Sequence, residues 1–382
     1  MTMELPPDIL FYKILPRLPA KSIGRFRTVS KQWHSVLRTP LFEKLHLQHA
    51  TNDHHQNHHK LLIIPYDSPC VFNTIDCEAP EDGLTPSRLL PFDFDPSSEK
   101  MKLLTSFDGL ICVGIAKLSC GDEYSDLILW NPLTGDYKKL SKPDNSHKAC
   151  YKRRRKAFGL YYSDDDYKLL SVTRDSDAYI YSLKSDSWRK VDSSSKDLKK
   201  GIDNRISKHW WPSTLLNENL YFLNYADKRD PLDPSHRISY YSIIRFDTNT
   251  EKFTEIATPS FGVPDVITCF NHQGCIHVYG VYGVIRLNSI VFGVELWRMD
   301  GDGGDWKKVV VSDPIPNSMC IKPLHLMRDG NCLIHSISEG LVYKIDLATN
   351  TKNLSCSFSA RGLDTSPTGK YIQTLVSPNR YL

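Results

Sequence analysis

The chain has 382 residues and a mass of 43.7 kDa, and 40% of its residues are hydrophobic and 24% charged. These values are ordinary for a globular protein, so they exclude a disordered or a collagen-like chain. The length allows two or three domains or one large β domain.

No segment of the sequence has the length and composition of a membrane span. The longest stretch without Asp, Glu, Lys or Arg, residues 266–285, is interrupted by Asn271, Gln273 and two histidines, and mean hydropathy is −0.38. Residues 1–8 contain acidic residues and two prolines where a secretory signal needs a basic patch and an apolar run. We therefore expect a protein of the cytoplasm, the nucleus or both.

The positive charge of the chain is concentrated near its start. The formal net charge of the whole chain is +4, which is too small to indicate nucleic acid as a partner. Residues 1–45 hold eight basic and three acidic residues, a net charge of +5, so the remainder is near −1. This distribution predicts that the basic segment meets an acidic surface, and a solvated helical face is the alternative.

The first 45 residues have the apolar spacing of short amphipathic helices. The apolar residues fall into two sets: Leu10, Ile14 and Leu18, then Ile23, Phe26, Val29 and Trp33. Pro6 and Pro7 favour a helix start, Ser30 can cap the helix that carries Trp33, and Thr39-Pro40 marks its end. Three such helices are too few to bury their own apolar faces, so we expect part of this surface to dock on a partner.

The segment from Leu5 to Leu47 closely resembles the plant F-box motif. The positions in register are Leu5-Pro6, Ile9-Leu10, Ile14-Leu15, Leu18-Pro19, Lys21-Ser22, Phe26-Arg27, Val29-Ser30-Lys31 and Trp33. The resemblance implies docking on a Skp-family linker protein, an acidic helical subunit of a cullin ubiquitin ligase. The docking contacts that it implies are Leu5, Pro6, Ile9, Leu10, Leu18 and Pro19. Phe26 and Trp33 are expected to be partly internal.

From residue 61 onward the sequence repeats a strand-turn-strand unit. Five copies recur at roughly fifty to sixty residues: 127–140, 178–191, 240–256, 293–309 and 340–354. Three copies hold aromatic residues seven positions apart: Trp130 and Tyr137, Tyr181 and Trp188, Phe246 and Phe253. In the fourth copy Trp297 and Trp306 are nine positions apart, and the fifth has Tyr343 without such a partner.

Each of these units follows another apolar hairpin with a tight turn. The turns lie at Asp108-Gly109, 164–166, 217–219, 272–274 and 328–330. Two hairpins make four strands, and such a repeat is the signature of a β-propeller blade. Five blades fit between residues 103 and 354, and strands at 61–66, 71–75 and 371–376 can share a sixth. The predicted fold is a small all-α head followed by an all-β propeller of six four-stranded blades.

Three segments of the propeller resemble the plant F-box-associated domain. They are W-N-P-L-T-G-D-Y-K-K-L at 130–140, S-F-D-G-L-I-C-V at 106–113 and Y-I-Q-T-L-V-S-P at 371–378. The spacing is also kelch-like, but a Gly-Gly doublet occurs only at Gly303-Gly304. The predicted domains are an F-box at 1–48, a linker at 49–60 and the propeller at 61–382. The family includes S-locus F-box proteins and substrate receptors with unrelated targets, so the resemblance leaves the target open.

No residue pattern nominates a catalytic, cofactor or metal site. The ten cysteines are scattered without a C-x-x-C pair, which predicts reduced thiols. His54, His55, His58 and His59 lie in a polar stretch and are interpreted as a solvated loop. The run Asp300–Asp305 begins like a calcium loop, but Val311 stands where a bidentate Glu is required, which favours a hairpin turn.

The long loops of the predicted propeller all emerge on one face, opposite the tight turns. They are residues 116–126, 141–156, 192–212, 226–239 and 312–323. Long loops on a rigid scaffold usually carry binding, so this face is predicted to hold the target. The candidate contacts are Arg153, Arg154, Arg155, Trp210 and Trp211. The basic run 152–156 can equally be a nuclear import signal or a solvated loop, and the tryptophans can instead pack in the core.

These features predict a non-catalytic adapter, in which the head recruits a ubiquitin ligase and the propeller holds a protein target. The alternative is a small-ligand sensor or an enzyme that uses the central channel of the propeller. The head and the propeller are expected to be independent modules joined by the histidine-rich linker.

Overall fold

In a computed structural model, the chain is described over residues 5–52, 59–65, 68–120, 124–141, 157–173, 177–191, 208–210, 213–229, 237–259, 266–286, 289–301, 305–311, 321–336, 341–346, 352–357 and 368–381.

The head consists of consecutive helices. α1 (Pro7–Ile9) continues as a π-helical turn (Leu10–Ile14) and a 3-10 turn (Leu15–Arg17), and α2 (Ala20–Phe26), α3 (Lys31–Val36) and α4 (Pro40–Asn52) follow. α3 ends before Thr39-Pro40 as predicted, and Pro40 also starts α4, because the first position of a helix needs no N–H partner. α4 extends four residues into the predicted linker. No helix of the described ranges is long and apolar enough to cross a membrane.

In the described part of the chain, twenty-five strands follow the head. The first eleven are β1 (His59–Ile63), β2 (Val71–Asp76), β3 (Arg88–Leu89), β4 (Glu99–Phe107), β5 (Leu110–Lys117), β6 (Tyr124–Trp130), β7 (Tyr137–Lys139), β8 (Ala157–Ser163), β9 (Asp166–Val172), β10 (Ala178–Ser182) and β11 (Ser187–Lys190). The next nine are β12 (Lys208–Trp210), β13 (Thr214–Leu216), β14 (Asn219–Arg229), β15 (Arg237–Asp247), β16 (Phe253–Ile256), β17 (Val266–His272), β18 (Cys275–Arg286), β19 (Ser289–Asp300) and β20 (Asp305–Val311). The last five are β21 (Ile321–Leu326), β22 (Cys332–Ser336), β23 (Leu341–Ile345), β24 (Lys352–Ser357) and β25 (Thr368–Ile372).

These strands form six antiparallel sheets, the blades of a β-propeller, and the predicted fold class is confirmed. Blade 1 contains β25 and β1–β3, blade 2 β4–β7, blade 3 β8–β11, blade 4 β12–β16, blade 5 β17–β20 and blade 6 β21–β24. Blade 4 has five strands because β12 and β13 both pair with β14, as two pieces of one strand. The residues between the two pieces include Pro212, which has no N–H for a strand ladder.

The propeller ring closes through blade 1, where the two ends of the body meet as predicted. β25 pairs with β1, and Tyr371 lies opposite Lys60. The strand ends at Ile372, however, and not at Val376 as predicted. The carbonyl groups of Thr374 and Val376 instead accept hydrogen bonds from the Asn131 side chain of blade 2, at 3.1 and 2.8 Å. We call residues 373–381 the closing segment.

The aromatic step of seven residues is explained by strand register. Trp130 lies opposite Tyr137, Tyr181 opposite Trp188, and Phe246 opposite Phe253, across the last two strands of blades 2, 3 and 4. Directly opposed side chains stabilise a hairpin by contact across the strands. The longer pair in blade 5 does not follow this rule. Trp297 faces Lys308 and Trp306 faces Met299, because the hairpin is centred on the pair Asp300 and Asp305 and not midway between the two tryptophans.

Four of the predicted tight turns have two successive residues at positive φ. They are 108–109, 164–165, 217–218 and 273–274. Two-residue hairpin loops of type I′ require this backbone conformation, which matches the twist of the paired strands. The predicted hairpin at Asp300–Asp305 also forms, since these two aspartates are paired between β19 and β20.

Candidate docking surface of the helical head

The head has its own small apolar core. Its buried side chains are Phe11, Leu15, Ala20, Ile23, Leu37 and Phe42. Trp33 lies beside this core, with ring centroids 5.3 Å from Phe11 and 5.7 Å from Phe26 in edge-on geometry. Ser30 caps α3 as predicted, because its side chain accepts the Trp33 N–H at 3.2 Å. Phe26 and Trp33 are partly buried, in agreement with the prediction.

The first helical stretch also presents apolar side chains to solvent. Leu5 is 55% exposed, Ile9 45%, Tyr12 36% and Ile14 38%. We call these four residues the apolar ridge. Phe11, in the same stretch, is buried in the core of the head. A ridge of this kind is the type of surface that a protein partner covers.

The six residues implied as docking contacts divide into two groups. Leu5, Pro6, Ile9 and Pro19 are exposed. Leu10 and Leu18 are partly buried and pack against the core of the head. His46 from α4 lies against the Leu18 carbonyl, with its Nε2 at 3.1 Å. Leu10 and Leu18 therefore also support the head internally, and their role in docking stays a prediction.

The exposed charge of the head is strongly positive. Seven basic residues between positions 5 and 45 are exposed: Lys13, Arg17, Lys21, Arg25, Lys31, Arg38 and Lys44. Asp8 is exposed in the same range, whereas Glu43 is 6% exposed. The partly buried Arg27 donates from Nη2 to the Leu37 carbonyl at 3.0 Å. The exposed surface of the head is thus suited to an acidic partner.

Glu43 is an unusual buried carboxyl group. Burial raises its pKa to about 7, although the charges of Arg380, Arg27 and Arg38 lower it and Asp136 adds to the rise. The sequence analysis does not predict the burial of Glu43 and counts it as one of the three acidic residues of the head. The period of Phe42, His46 and Ala50, all buried, is the signal that could have placed Glu43 on a packed helix.

This raised pKa predicts a pH-dependent stability. The folded protein holds the Glu43 proton more tightly than the unfolded chain, so the free energy of unfolding decreases as pH rises from about 4.5 to about 7. The variant Glu43→Gln should lose this part of the decrease. Urea unfolding at pH 5 and pH 8 measures it, with the exposed Glu255→Gln as the control. An equal pH dependence in Glu43→Gln and in the wild type would contradict the prediction.

The head is packed against the propeller, so the expected independence of the two modules is wrong. Leu375 of the closing segment is buried in the core of the head, and Leu133 from the last turn of blade 2 packs there too. In the opposite direction, Leu47 of α4 packs against the cluster between blades 2 and 3. Sequence patterns describe each module by itself, and these contacts join residues that are far apart in the chain.

The predicted target contacts lie almost entirely outside the described residues. Arg153, Arg154, Arg155 and Trp211 belong to that part of the chain. The backbone of Trp210 forms the last position of β12 in blade 4. Their role in target binding stays a prediction.

A second polar cluster lies where the ring closes. His325 of β21 donates from Nε2 to Glu78 at 2.9 Å, and the Arg328 N–H donates to the same carboxylate at 3.1 Å. Burial lowers the pKa of His325 to about 4, and Lys370 adds to this, so its imidazole is neutral at pH 7. Glu78 follows β2, so this contact ties blade 1 to blade 6. Its geometry is that of a structural link.

Two comparisons of sequence agree with this architecture. Residues 3–45 match the model of the F-box domain, and residues 86–274 match the model of the F-box associated beta propeller domain. An F-box/kelch-repeat protein of Arabidopsis thaliana is 24% identical over 249 residues, 59% of this chain and 58% of that protein. Another of the same description and organism is 27% identical over 333 residues, 82% of this chain and 78% of that protein. This chain thus spans less than two thirds of the first relative.

Among solved structures, a chain in the crystal structure of a nidogen/laminin complex is similar, with 10% identity and a TM-score of 0.44. The match covers 82% of this chain and 98% of that chain.

The fold defines a protein that joins a small helical domain to a β-propeller. With both domain models matched in this order, the chain belongs to the plant F-box proteins that carry an F-box-associated propeller.

Proposed function

We propose that this protein is the substrate-recognition adapter of a Skp-cullin-F-box ubiquitin ligase. Its head binds the Skp-family linker protein, and its propeller binds the protein to be ubiquitinated. The observation that carries the proposal is the apolar ridge on an F-box that also exposes seven basic side chains. The adapter itself is non-catalytic and acts in the cytoplasm, the nucleus or both.

The distribution of exposed apolar side chains supports a docking role for the head. Six of the ten large apolar side chains that are exposed in the described residues lie between Leu5 and Leu41. This range is a small part of the described chain, so exposed apolar surface is concentrated there. Such a concentration is costly in water unless a partner covers it. The propeller, in contrast, buries its large side chains between blades.

The charge of the head supports an acidic partner. The head exposes seven basic side chains. Burial raises the pKa of Glu43 to about 7, so this carboxyl carries only part of its negative charge at neutral pH. Charges at the rim of an interface mainly raise the association rate and select the partner. The apolar ridge then supplies most of the affinity.

The variant Leu5→Ala/Ile9→Ala tests the proposal. Covering the exposed part of each side chain contributes roughly 1.5 kcal/mol, so the double change should weaken binding about hundredfold. The measurement is the dissociation constant for a purified Skp-family linker protein, by biolayer interferometry with the full chain. Thermal unfolding should be little changed, because neither residue belongs to the core of the head.

A matched control truncates two exposed aliphatic side chains of the same size in the propeller. Leu89 is 75% exposed and Leu118 54% exposed, and both lie outside the head. Leu89→Ala/Leu118→Ala should bind the linker protein like the wild type. Wild-type affinity in the Leu5→Ala/Ile9→Ala variant would refute the docking role of the ridge. Failure of the wild type to bind any Skp-family linker protein would refute the proposed function.

A further inference from the structure

The closing segment is bonded to blade 2 along its backbone. The Thr374 hydroxyl donates to the Asp108 carbonyl at 2.6 Å. Asn131, which is fully buried, donates from Nδ2 to the carbonyls of Thr374 and Val376. The Asn131 side-chain oxygen also accepts the Leu133 N–H at 2.9 Å, so its orientation is fixed. These bonds hold the segment in one position on the propeller.

The end of the closing segment reaches blade 3. The Tyr381 hydroxyl donates to the Asp165 carbonyl at 2.5 Å. The Arg380 guanidinium lies over the rings of Tyr162 and Tyr167, 5.9 and 5.6 Å from their centroids. These distances are within the range of cation–π attraction. The segment therefore crosses from blade 1 over blade 2 to blade 3.

The same segment contacts the head from its other side. Between Thr374 and Val376, whose carbonyls bind the propeller, the Leu375 side chain inserts into the core of the head and is 2% exposed. Of the cations that act on Glu43 in α4, Arg380 lowers the pKa of that carboxyl most. Leu47 of α4 packs against the cluster that contains Val376. Propeller and head thus hold the closing segment between them.

The covalent connection between the two domains cannot by itself fix the orientation of the head relative to the propeller. Six residues, 53–58, join α4 to β1. A connection of that length can extend to about 20 Å, which is compatible with many orientations of the head. A fixed orientation has to come from contacts between the head and the propeller, to which the closing segment contributes together with Leu133 and Leu47.

We propose that the closing segment is a clamp that fixes the orientation of the apolar ridge relative to the propeller, with Leu375 and Arg380 as its positioning residues. The functional consequence of the clamp rests on the proposed function. If the head binds the linker protein and the propeller binds the target, the clamp holds these two partners at a set distance. The clamp itself is a property of the chain alone, so it is testable without either partner.

The test is a distance distribution between the two domains. Spin labels are attached through a keto amino acid at Gln32 of the head and Lys307 of blade 5, both exposed, which leaves the ten cysteines unlabelled. Double electron–electron resonance on the full chain should give one narrow distance distribution. In Arg380→Ala, and more strongly in Leu375→Ala/Arg380→Ala, the distribution should widen about twofold or more as the head gains freedom.

Two controls separate the clamp from general damage and from the proposed function. Arg298→Ala removes an exposed arginine of blade 5 and should leave the distribution narrow. Arg380→Ala should bind the linker protein with wild-type affinity, because the ridge is untouched. Arg380 lies outside the core of the head. Arg380→Ala therefore still tests the clamp in the case that Leu375→Ala unfolds the head. A broad distribution in the wild type, or an unchanged one in Arg380→Ala, would overturn the clamp whether or not the linker protein binds.

Discussion

Replacing Gly109 with alanine is expected to destabilise the protein by about 2–5 kcal/mol. Gly109 has φ +87° in the tight turn between β4 and β5. A Cβ atom there would lie 2.1 Å from Thr374 Oγ1 and 2.8 Å from the Ile372 carbonyl oxygen. The left-handed backbone costs an alanine about 1–2 kcal/mol, and the overlap adds about 1–3 kcal/mol. The overlap includes the backbone carbonyl of Ile372 at the end of β25, so it cannot be relieved by one rotamer change.

The measurement is the free energy of unfolding from urea titration, followed by circular dichroism. Gly135→Ala is the matched control, because Gly135 has φ +80° and no atom within 4 Å of its added Cβ. The control should lose only the backbone part, about 1–2 kcal/mol. The difference between the two variants isolates the contact with the closing segment. Equal losses would mean that the segment moves aside at no cost.

Gly109 shows where sequence reasoning reaches its limit. The Asp108-Gly109 turn is predicted from local chemistry, since a two-residue hairpin loop needs positive φ at both positions. The contact of this turn with Thr374 joins residues that are remote in the chain, and no local pattern signals it. The predicted strand at 371–376 errs for the same reason. Its apolar residues favour a strand, but the Asn131 side chain and the head take the place of a neighbouring strand.

In the head, too, local features are predictable from the sequence and contacts between remote residues are not. Helix spacing and the Ser30 cap predict α3, and the F-box resemblance selects residues of which four are exposed. The resemblance could not show that Leu10 and Leu18 also pack inwards, because register gives position along a motif and not burial. Nor could it reveal that Glu43 is buried beside Arg380, since Arg380 belongs to the closing segment.

In the propeller, the sequence predicts the blades because each blade repeats the same local strand-turn-strand pattern. The aromatic step of seven residues predicts the opposed pairs in blades 2, 3 and 4. In blade 5 the hairpin is centred on the pair Asp300 and Asp305, so Trp297 and Trp306, which are nine positions apart, are not opposed. What the repeat does not contain is the packing between blades, which depends on residues of two different copies.

Trp130→Ala is expected to destabilise the protein by about 3–5 kcal/mol, because it removes packing between two blades. Trp130 is fully buried, and its ring meets Phe72 and Phe92 edge-on at 4.8 and 5.6 Å. Phe72 belongs to β2 of blade 1, so the indole joins the blade that closes the ring to the next one. Losing it leaves a large cavity between two blades that the strand ladders prevent from collapsing.

Tyr137→Ala is the matched control for this prediction, because Tyr137 is the residue directly opposite Trp130 and is 41% exposed. If the two aromatic residues mattered only as a cross-strand pair, both variants would lose a similar amount, about 0.5–1 kcal/mol. If the buried member mainly joins blades, Trp130→Ala should lose several times more than Tyr137→Ala in urea unfolding. Similar losses in the two variants would refute the role of Trp130 between blades 1 and 2.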